Sequence, residues 1–191
     1  MKVAALIQAR FSSARLPGKV MREILGRPML ELLLERVRFA RTIHSVVIAT
    51  GDHPSNIPIV DLAKRFACPF FVGSEDDVLG RFYQAARTYK ADVIVRISGD
   101  CPLHDPLVID QVVSFYLDNA ERFDYVSNVD PPTFPDGLDT WVFPFGTLEK
   151  VWREARLPSE REHVCPYIWK HPKRFQRRWP SNRDRSPSRS G

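Results

Sequence analysis

At 191 residues, 43% of them hydrophobic, the chain is long enough for one sizeable globular domain with a core of its own. No apolar run approaches the roughly 18 residues of a membrane span, and no membrane partner is expected. The net charge of +5 is uneven: eight basic residues and one acidic residue fall in 170–191, leaving 20 basic and 22 acidic residues in 1–169. A near-neutral body with a basic tail supports a nucleic-acid partner only weakly.

The opening apolar run, 3–7, is too short for a signal-peptide core and reads as a first strand buried on both faces. Pro28 opens a helix whose apolar residues Met29, Leu30, Leu33, Leu34 and Val37 recur at helical spacing. Residues 45–50 form a second strand and 57–66 its helix; 70–72 form a third strand. Ser74 caps the next helix, with Asp77 at the capping-box position. A fourth strand spans 92–97, followed by a helix over 106–117. This alternation predicts a mostly parallel sheet covered on both faces.

Beyond Asn119 the pattern shifts to a short strand at 124–128, a proline-rich loop at 131–136, a strand at 137–143, and a helix over 159–170 opened by Ser159 and Glu162. After Pro172 the composition turns to Arg, Ser and Pro. The expected organisation is one domain over 1–175 and a disordered basic tail over 176–191. Cys68, Cys101 and Cys165 share no close spacing, and a reduced cytoplasmic compartment is expected.

Ligands of such sheets bind beyond the carboxyl ends of the strands. The first loop there reads Gln8-Ala9-Arg10-Phe11-Ser12-Ser13-Ala14-Arg15-Leu16-Pro17-Gly18-Lys19. Three cations and two hydroxyls suit a nucleoside triphosphate, which brings about four negative charges. The loop has one glycine, which excludes a dinucleotide fingerprint, and it lacks the Ser/Thr after Gly18-Lys19 that a Walker A loop requires. The bland alternative is an exposed basic loop. The loop after the fourth strand, Ser98-Gly99-Asp100-Cys101-Pro102-Leu103, places a carboxylate where magnesium could bridge to phosphates. There the alternative is an Asp that caps a turn ahead of Pro102.

Together with Gly26-Arg27-Pro28-Met29-Leu30, these two loops resemble the cytidylyltransferases that activate acidic sugars, typified by the 3-deoxy-manno-octulosonate and acylneuraminate enzymes. The spore-coat-polysaccharide (SpsF-like) branch is the most similar. It shares Gly73-Ser74-Glu75-Asp76-Asp77-Val78-Leu79, Gly137-Leu138-Asp139 and Arg161-Glu162-His163-Val164-Cys165-Pro166-Tyr167-Ile168, usually with Thr in place of Cys165. The resemblance covers about residues 1–175. It implies a three-layer α/β sandwich of the nucleotide-diphospho-sugar transferase (Rossmann-like, GT-A) type. It also implies transfer of a cytidylyl group from CTP to a sugar, with release of pyrophosphate.

The resemblance further implies Arg10, Lys19 and Asp100 as catalytic residues, with Asp100 on Mg2+. Gln8, Ala9, Arg10, Arg15, Lys19, Gly73, Ser74 and Gly99 would meet the nucleotide, Asp139 and His163 the sugar. A homodimer is expected. The family's second metal-binding Asp has no counterpart after His163 except Asp184 in the tail, so a truncated or catalytically impaired nucleotide-binding chain is one alternative. A GT-A glycosyltransferase is another, although Pro102 stands where an Asp-x-Asp pair would need its second carboxylate. Glu75 and Asp76 read as acids serving the positive end of a helix, and Cys101 as a packed residue rather than a nucleophile.

Overall fold

A computed structural model of the chain describes residues 1–13, 16–129 and 131–178. In chain order the elements are β1 (Val3–Gln8), β2 (Glu23–Ile24), β3 (Arg27–Pro28), α1 (Met29–Arg38), β4 (Ser45–Gly51), α2 (Ile57–Arg65), β5 (Phe70–Gly73), α3 (Val78–Thr88), β6 (Val93–Ser98) and α4 (Pro106–Leu117). There follow β7 (Tyr125–Ser127), β8 (Trp141–Pro144), α5 (Phe145–Glu154), α6 (Pro158–Arg161), α7 (Pro166–Lys170) and β9 (Arg177–Arg178). Seven strands make one sheet in the order β5-β4-β1-β6-β8-β7-β9. The pairs β5-β4, β4-β1 and β1-β6 are parallel, whereas β8 runs antiparallel to both β6 and β7. Short β2 and β3 form a separate hairpin.

Strand β1 shows why a continuous apolar run was required. Val3, Ala5 and Ile7 face one core, with Leu30, Leu33 and Leu34 of α1, Leu62 of α2, and Ile109 and Val112 of α4. Ala4 and Leu6 face the other, with Leu79 and Phe82 of α3, Leu148 and Val151 of α5, and Ile168 of α7. A strand with a hydrophobic layer on each side has no polar face to show. The three-layer, mostly parallel α/β sandwich expected from the sequence is therefore the architecture found.

Three features depart from the sequence reading. Helix α5 occupies 145–154, a stretch the sequence reading left unassigned, although Phe145, Leu148, Val151 and Trp152 have helical spacing. The helix expected over 159–170 is split into α6 and α7. Pro166 cannot donate a backbone hydrogen bond and disfavours helix at the residue before it, so the chain breaks at 162–165. The cap also shifts, to Leu157, whose N–H donates to Glu160 Oε2 (3.4 Å) rather than to a Ser159 box.

Third, the ordered chain runs past the expected boundary at 175. Phe175 is buried, the Gln176 carbonyl accepts from Asp124 N, and β9 pairs with β7. The rest of the predicted tail, with Asp184, lies outside the described residues.

The fold fixes the site through one tight contact. Gly99 N–H donates to the Gln8 carbonyl (2.8 Å), and a Cβ on Gly99 would stand 2.6 Å from that oxygen and 3.1 Å from Ala9 Cβ. Gly99→Ala should therefore force the ends of β1 and β6 apart and destabilise the protein by about 1–3 kcal/mol. Gly146→Ala, where a Cβ meets open space, should be neutral or slightly stabilising. Melting temperatures of the two variants check this, and equal melting points would contradict it.

Candidate active site

Parallel pairing of β1 with β6, Gln8 opposite Ser98, brings the two chemically loaded loops together. They border a cavity of about 290 Å3 lined by Gln8, Arg10, Ser13, Lys19, Val20, Arg96, Ser98, Asp100 and His163. Larger hollows exist elsewhere, among them a groove of about 490 Å3 beside Trp152 and Arg161. The smaller one sits at the carboxyl ends of β1 and β6.

The first loop is pinched at its base. Gly18 N donates to the Phe11 carbonyl (2.8 Å), and Gly18 has φ +70° with the Phe11 ring packed over it. Only glycine adopts that backbone at low cost beside the ring. A one-turn 3-10 helix, Lys19–Met21, starts there and aims Lys19 into the cavity. The loop is also anchored from outside: Phe11 N donates to Asn56 Oδ1 (2.8 Å), Asn56 Nδ2 donates to Glu75 Oε2 (2.7 Å), and Ser12 Oγ donates to Glu75 Oε1.

Glu75 thus ties the segment after β5 to the first loop, which corrects its reading as an acid serving a helix end. The N-cap of α3 is Asp77, whose Oδ1 accepts from Gly80 N (2.9 Å). The expected Ser74–Asp77 link is present only as Asp77 N donating to Ser74 Oγ (3.0 Å).

Two of the three cations that line the cavity have carboxylate partners. Lys19 Nζ pairs with Asp100 Oδ2, and Arg10 Nη2 stands 4.0 Å from Glu162 Oε1. An incoming polyanion would take over the cations and release the two carboxylates. The Lys19–Asp100 pair is partly exposed and the Arg10–Glu162 pair more so, which keeps the exchange cheap. His163 reaches the cavity from the break between α6 and α7, and so does not start a helix. That break is bolted down by Arg161, whose Nη2 donates to Asp77 Oδ2 (2.5 Å) and whose Nη1 donates to the Trp152 and Ala155 carbonyls.

Of the residues expected from sequence, Gln8, Arg10, Lys19, Asp100 and His163 therefore meet in one cavity, while Gly99 packs against the Gln8 carbonyl and Ala9. Ala9 is buried and its N–H is engaged by the Ala49 carbonyl. Gly73 and Ser74 stand at the carboxyl end of the edge strand β5, two strands from β1, and are not among the residues that line the cavity. Arg15 falls outside the described residues.

Asp139 lies in the part-buried approach to β8. Burial first, then Asp136, hold its carboxyl above the usual range; Arg96 opposes this and Asp100 adds to it. Burial and Asp100 push the Cys101 thiol up to about 12, which rules out a resting thiolate there.

Several polar residues were not anticipated from the sequence, Asn56, Arg81 and Arg96 among them. Asn56 is the buried anchor of the first loop. Arg81, on α3, is 1% exposed and its Nη1 donates to the Ser74 carbonyl (2.7 Å), fixing the turn that carries Glu75. Arg96 interrupts an otherwise apolar strand, and that lone charge was a visible signal.

The chain matches the family model described as Cytidylyltransferase over residues 4–188. It belongs to the cytidylyltransferase family. It is 33% identical over 172 residues to the spore coat polysaccharide biosynthesis protein SpsF of Bacillus subtilis, covering 87% of this chain and 70% of that one. It is also 33% identical over 181 residues to an 8-amino-3,8-dideoxy-manno-octulosonate cytidylyltransferase of Shewanella frigidimarina, covering 90% and 72%. Among solved structures, a cytidylyltransferase from Leptospira borgpetersenii superposes with a TM-score of 0.91 at 37% identity, covering 95% of this chain and 76% of that one. This cytidylyltransferase-family chain is thus a nucleotidyltransferase by descent and by fold, in the branch that the sequence motifs suggested.

His104 ties the loop after β6 to the approach to β8. It is fully buried, its Nδ1 donates to the Gly137 carbonyl (3.2 Å) and its Nε2 accepts from Thr140 Oγ1 (3.2 Å), clamping the approach to β8 onto the Asp100 loop. The donor assignment follows from the carbonyl partner. Burial lowers its pKa to about 4, with the Gly137 carbonyl and Asp105 opposing and Arg36 assisting.

The native state therefore refuses a proton that the unfolded chain accepts near pH 6.5. Its contribution is complete above pH 6.5 and is lost as pH falls toward 4, by up to about 3 kcal/mol. Denaturant unfolding at stepped pH should show this slope in the wild type and a much flatter one in His104→Gln. Parallel slopes would remove His104 as the cause.

Proposed function

We propose that this chain transfers a cytidylyl group from CTP to a hydroxyl of a sugar, releasing pyrophosphate, within the synthesis of a surface or spore-coat polysaccharide. The observation that carries this reading is the joining of Arg10, Lys19 and Asp100 at one cavity on the carboxyl ends of β1 and β6. The sugar oxygen would attack the α-phosphorus, forming the new P–O bond as the bond from the α-phosphorus to the β-phosphate oxygen breaks.

Such transfers depend mainly on positioning and on neutralising the charge that develops on phosphate oxygens. Arg10 and Lys19 would hold the triphosphate and steady the departing pyrophosphate, and Arg15 would join them from the same loop. Gln8 and the backbone at Ala9 and Gly99 would lie against the phosphates. Gly73 and Ser74, held by Arg81, would border the base. Asp139 and His163 would face the sugar, on the side of β8 and the α6–α7 break.

The donor set fits a divalent metal, which we take to be Mg2+. Among the described residues no three His, Cys, Asp or Glu side chains cluster to hold an ion by themselves. Asp100 alone, with phosphate oxygens and water, suits an ion that arrives with its nucleotide. When bound there, Mg2+ would screen the phosphate charge and help align the attack. We further take the protein to work in the cytoplasm as a homodimer; no helix of the described residues is long and apolar enough to cross a membrane.

Lys19→Ala and Arg10→Ala should each weaken CTP binding in calorimetry and lower turnover about 10²–10³-fold, as expected for loss of one charge-stabilising donor. Asp100→Ala should abolish the Mg2+ dependence of CTP binding. Pyrophosphate release with CTP and a panel of sugars provides the activity readout. Unchanged CTP affinity in both cation variants, or full activity in Asp100→Ala, would defeat the assignment.

A further inference from the structure

Helix α1 carries apolar residues on two sides. Leu30, Leu33, Leu34 and Val37 are buried in the core. Leu32 and Phe39, two turns apart, instead line a groove of about 410 Å3 with Pro102, Leu103 and Leu107. Phe39 and Leu103 are each 75% exposed and Leu107 is 72% exposed. A lone exposed leucine needs no explanation, but large apolar side chains gathered at one groove mark a contact with another macromolecule.

The walls of the groove are fixed in advance. Arg36, on the same helix face as Leu32 and Phe39, donates from Nε to the His104 carbonyl (2.8 Å). Asp105 Oδ1 accepts from Leu107 N (2.9 Å), and His104 is buried. The loop that carries Leu103 is therefore held against α1, and a partner meets a surface already in place, which lowers the ordering cost of association. The groove shares no lining residue with the cavity at Asp100, so the two are separate surfaces.

The charges beside the groove point to the partner. Among the described residues, the terminal nitrogens of Arg36 have no acceptor, Asp105 Oδ2 has no donor, and neither residue joins an ion pair. A surface that carries both signs around one apolar centre is complementary to itself. About a twofold axis, Arg36 of each copy meets Asp105 of the other. A standard interface buries roughly 800 Å2 on each side, with an apolar centre and a polar rim. Phe39, Leu103 and Leu107 supply that centre here, and Arg36 and Asp105 belong to the rim. We propose that this groove is the interface between two copies of the chain, paired about a twofold axis. The inference rests on the homodimer reading above and assigns that dimer a surface.

Sedimentation velocity on the full chain over a concentration series tests the assignment. The variants are Leu103→Asp and Leu107→Asp, with Leu157→Asp as a control at an exposed leucine outside the groove. The wild type should dimerise. Each groove variant should raise the dimer dissociation constant tenfold or more, because the twofold axis places every substitution at the contact twice. Leu157→Asp should stay within twofold of the wild type. Arg36→Glu should weaken the dimer as well, and adding Asp105→Lys to it should restore dimerisation, because the exchanged charges are again complementary across the axis.

A dimer that survives both leucine substitutions unchanged would overturn the proposal and leave the homodimer reading standing. So would a dimer broken by Leu157→Asp and not by the groove variants, which would move the interface to the α6 side. A wild type that stays monomeric at every concentration would defeat the homodimer reading itself and leave the groove to a different protein. Failure of Asp105→Lys to restore the Arg36→Glu dimer, with both proteins folded by circular dichroism, would remove the twofold pairing. Asp105 caps α4; if its variant fails to fold, the two leucine variants still decide.

Discussion

The site depends on the close approach of two strand ends. Gly99 presses against the Gln8 carbonyl with no room for a side chain, and this contact sets the separation of the first loop from Asp100. Lys19 can meet Asp100, and Arg10 and Arg96 can border the same cavity, because β1 and β6 are adjacent, parallel and in register at their carboxyl ends. Side chains supply the chemistry, but main-chain packing brings them within reach of one ligand. A loop with a single glycine has few free backbone amides to offer an anion, so any anion bound there would rely on charged side chains whose bases must be held rigidly.

That rigidity comes from buried polar groups, placed at some energetic cost. Arg81 keeps one guanidinium edge without partners in order to hold the Ser74 carbonyl, and burial lowers its pKa despite the opposing effect of Glu75. Asn56 is buried to anchor Phe11 and Glu75 together. His104 is buried, and burial favours its neutral form. Each gives up hydration that an apolar residue would not miss, and each stands at a junction between segments distant in the chain. Such placements favour a unique loop geometry over maximal stability.

Much of this was legible in the sequence, and the limits have physical causes. Continuous apolar strands and helix-spaced residues disclosed the two-sided sheet because burial on both faces leaves a simple pattern. Arg10, Lys19 and Asp100 were visible because charges at strand ends are conspicuous. Pro166 misled the reading of the late helix: the Ser159–Glu162 signal resembled a cap, but the proline enforced a break three residues later. Asn56, Arg81 and His104 stayed hidden, since a buried polar residue looks like a surface one until its partners are known. Arg96 was the exception that could have been seen, a lone charge among valines and isoleucines.

The two oxygens of Glu75 hold residues from different parts of the chain: Ser12 of the first loop and Asn56, which in turn holds Phe11. A Cβ on Gly51 would fall 1.5 Å from one of those oxygens, so the end of β4 is shaped around the carboxylate as well. Three loops therefore share one keystone. Exchanging the segment after β5 for that of a relative, to change what it recognises, would also unseat the cation-bearing loop unless Glu75 came with it. The segment after β5 and the cation-bearing loop are mechanically coupled here, and the coupled unit is the one that engineering or evolution must move as a piece.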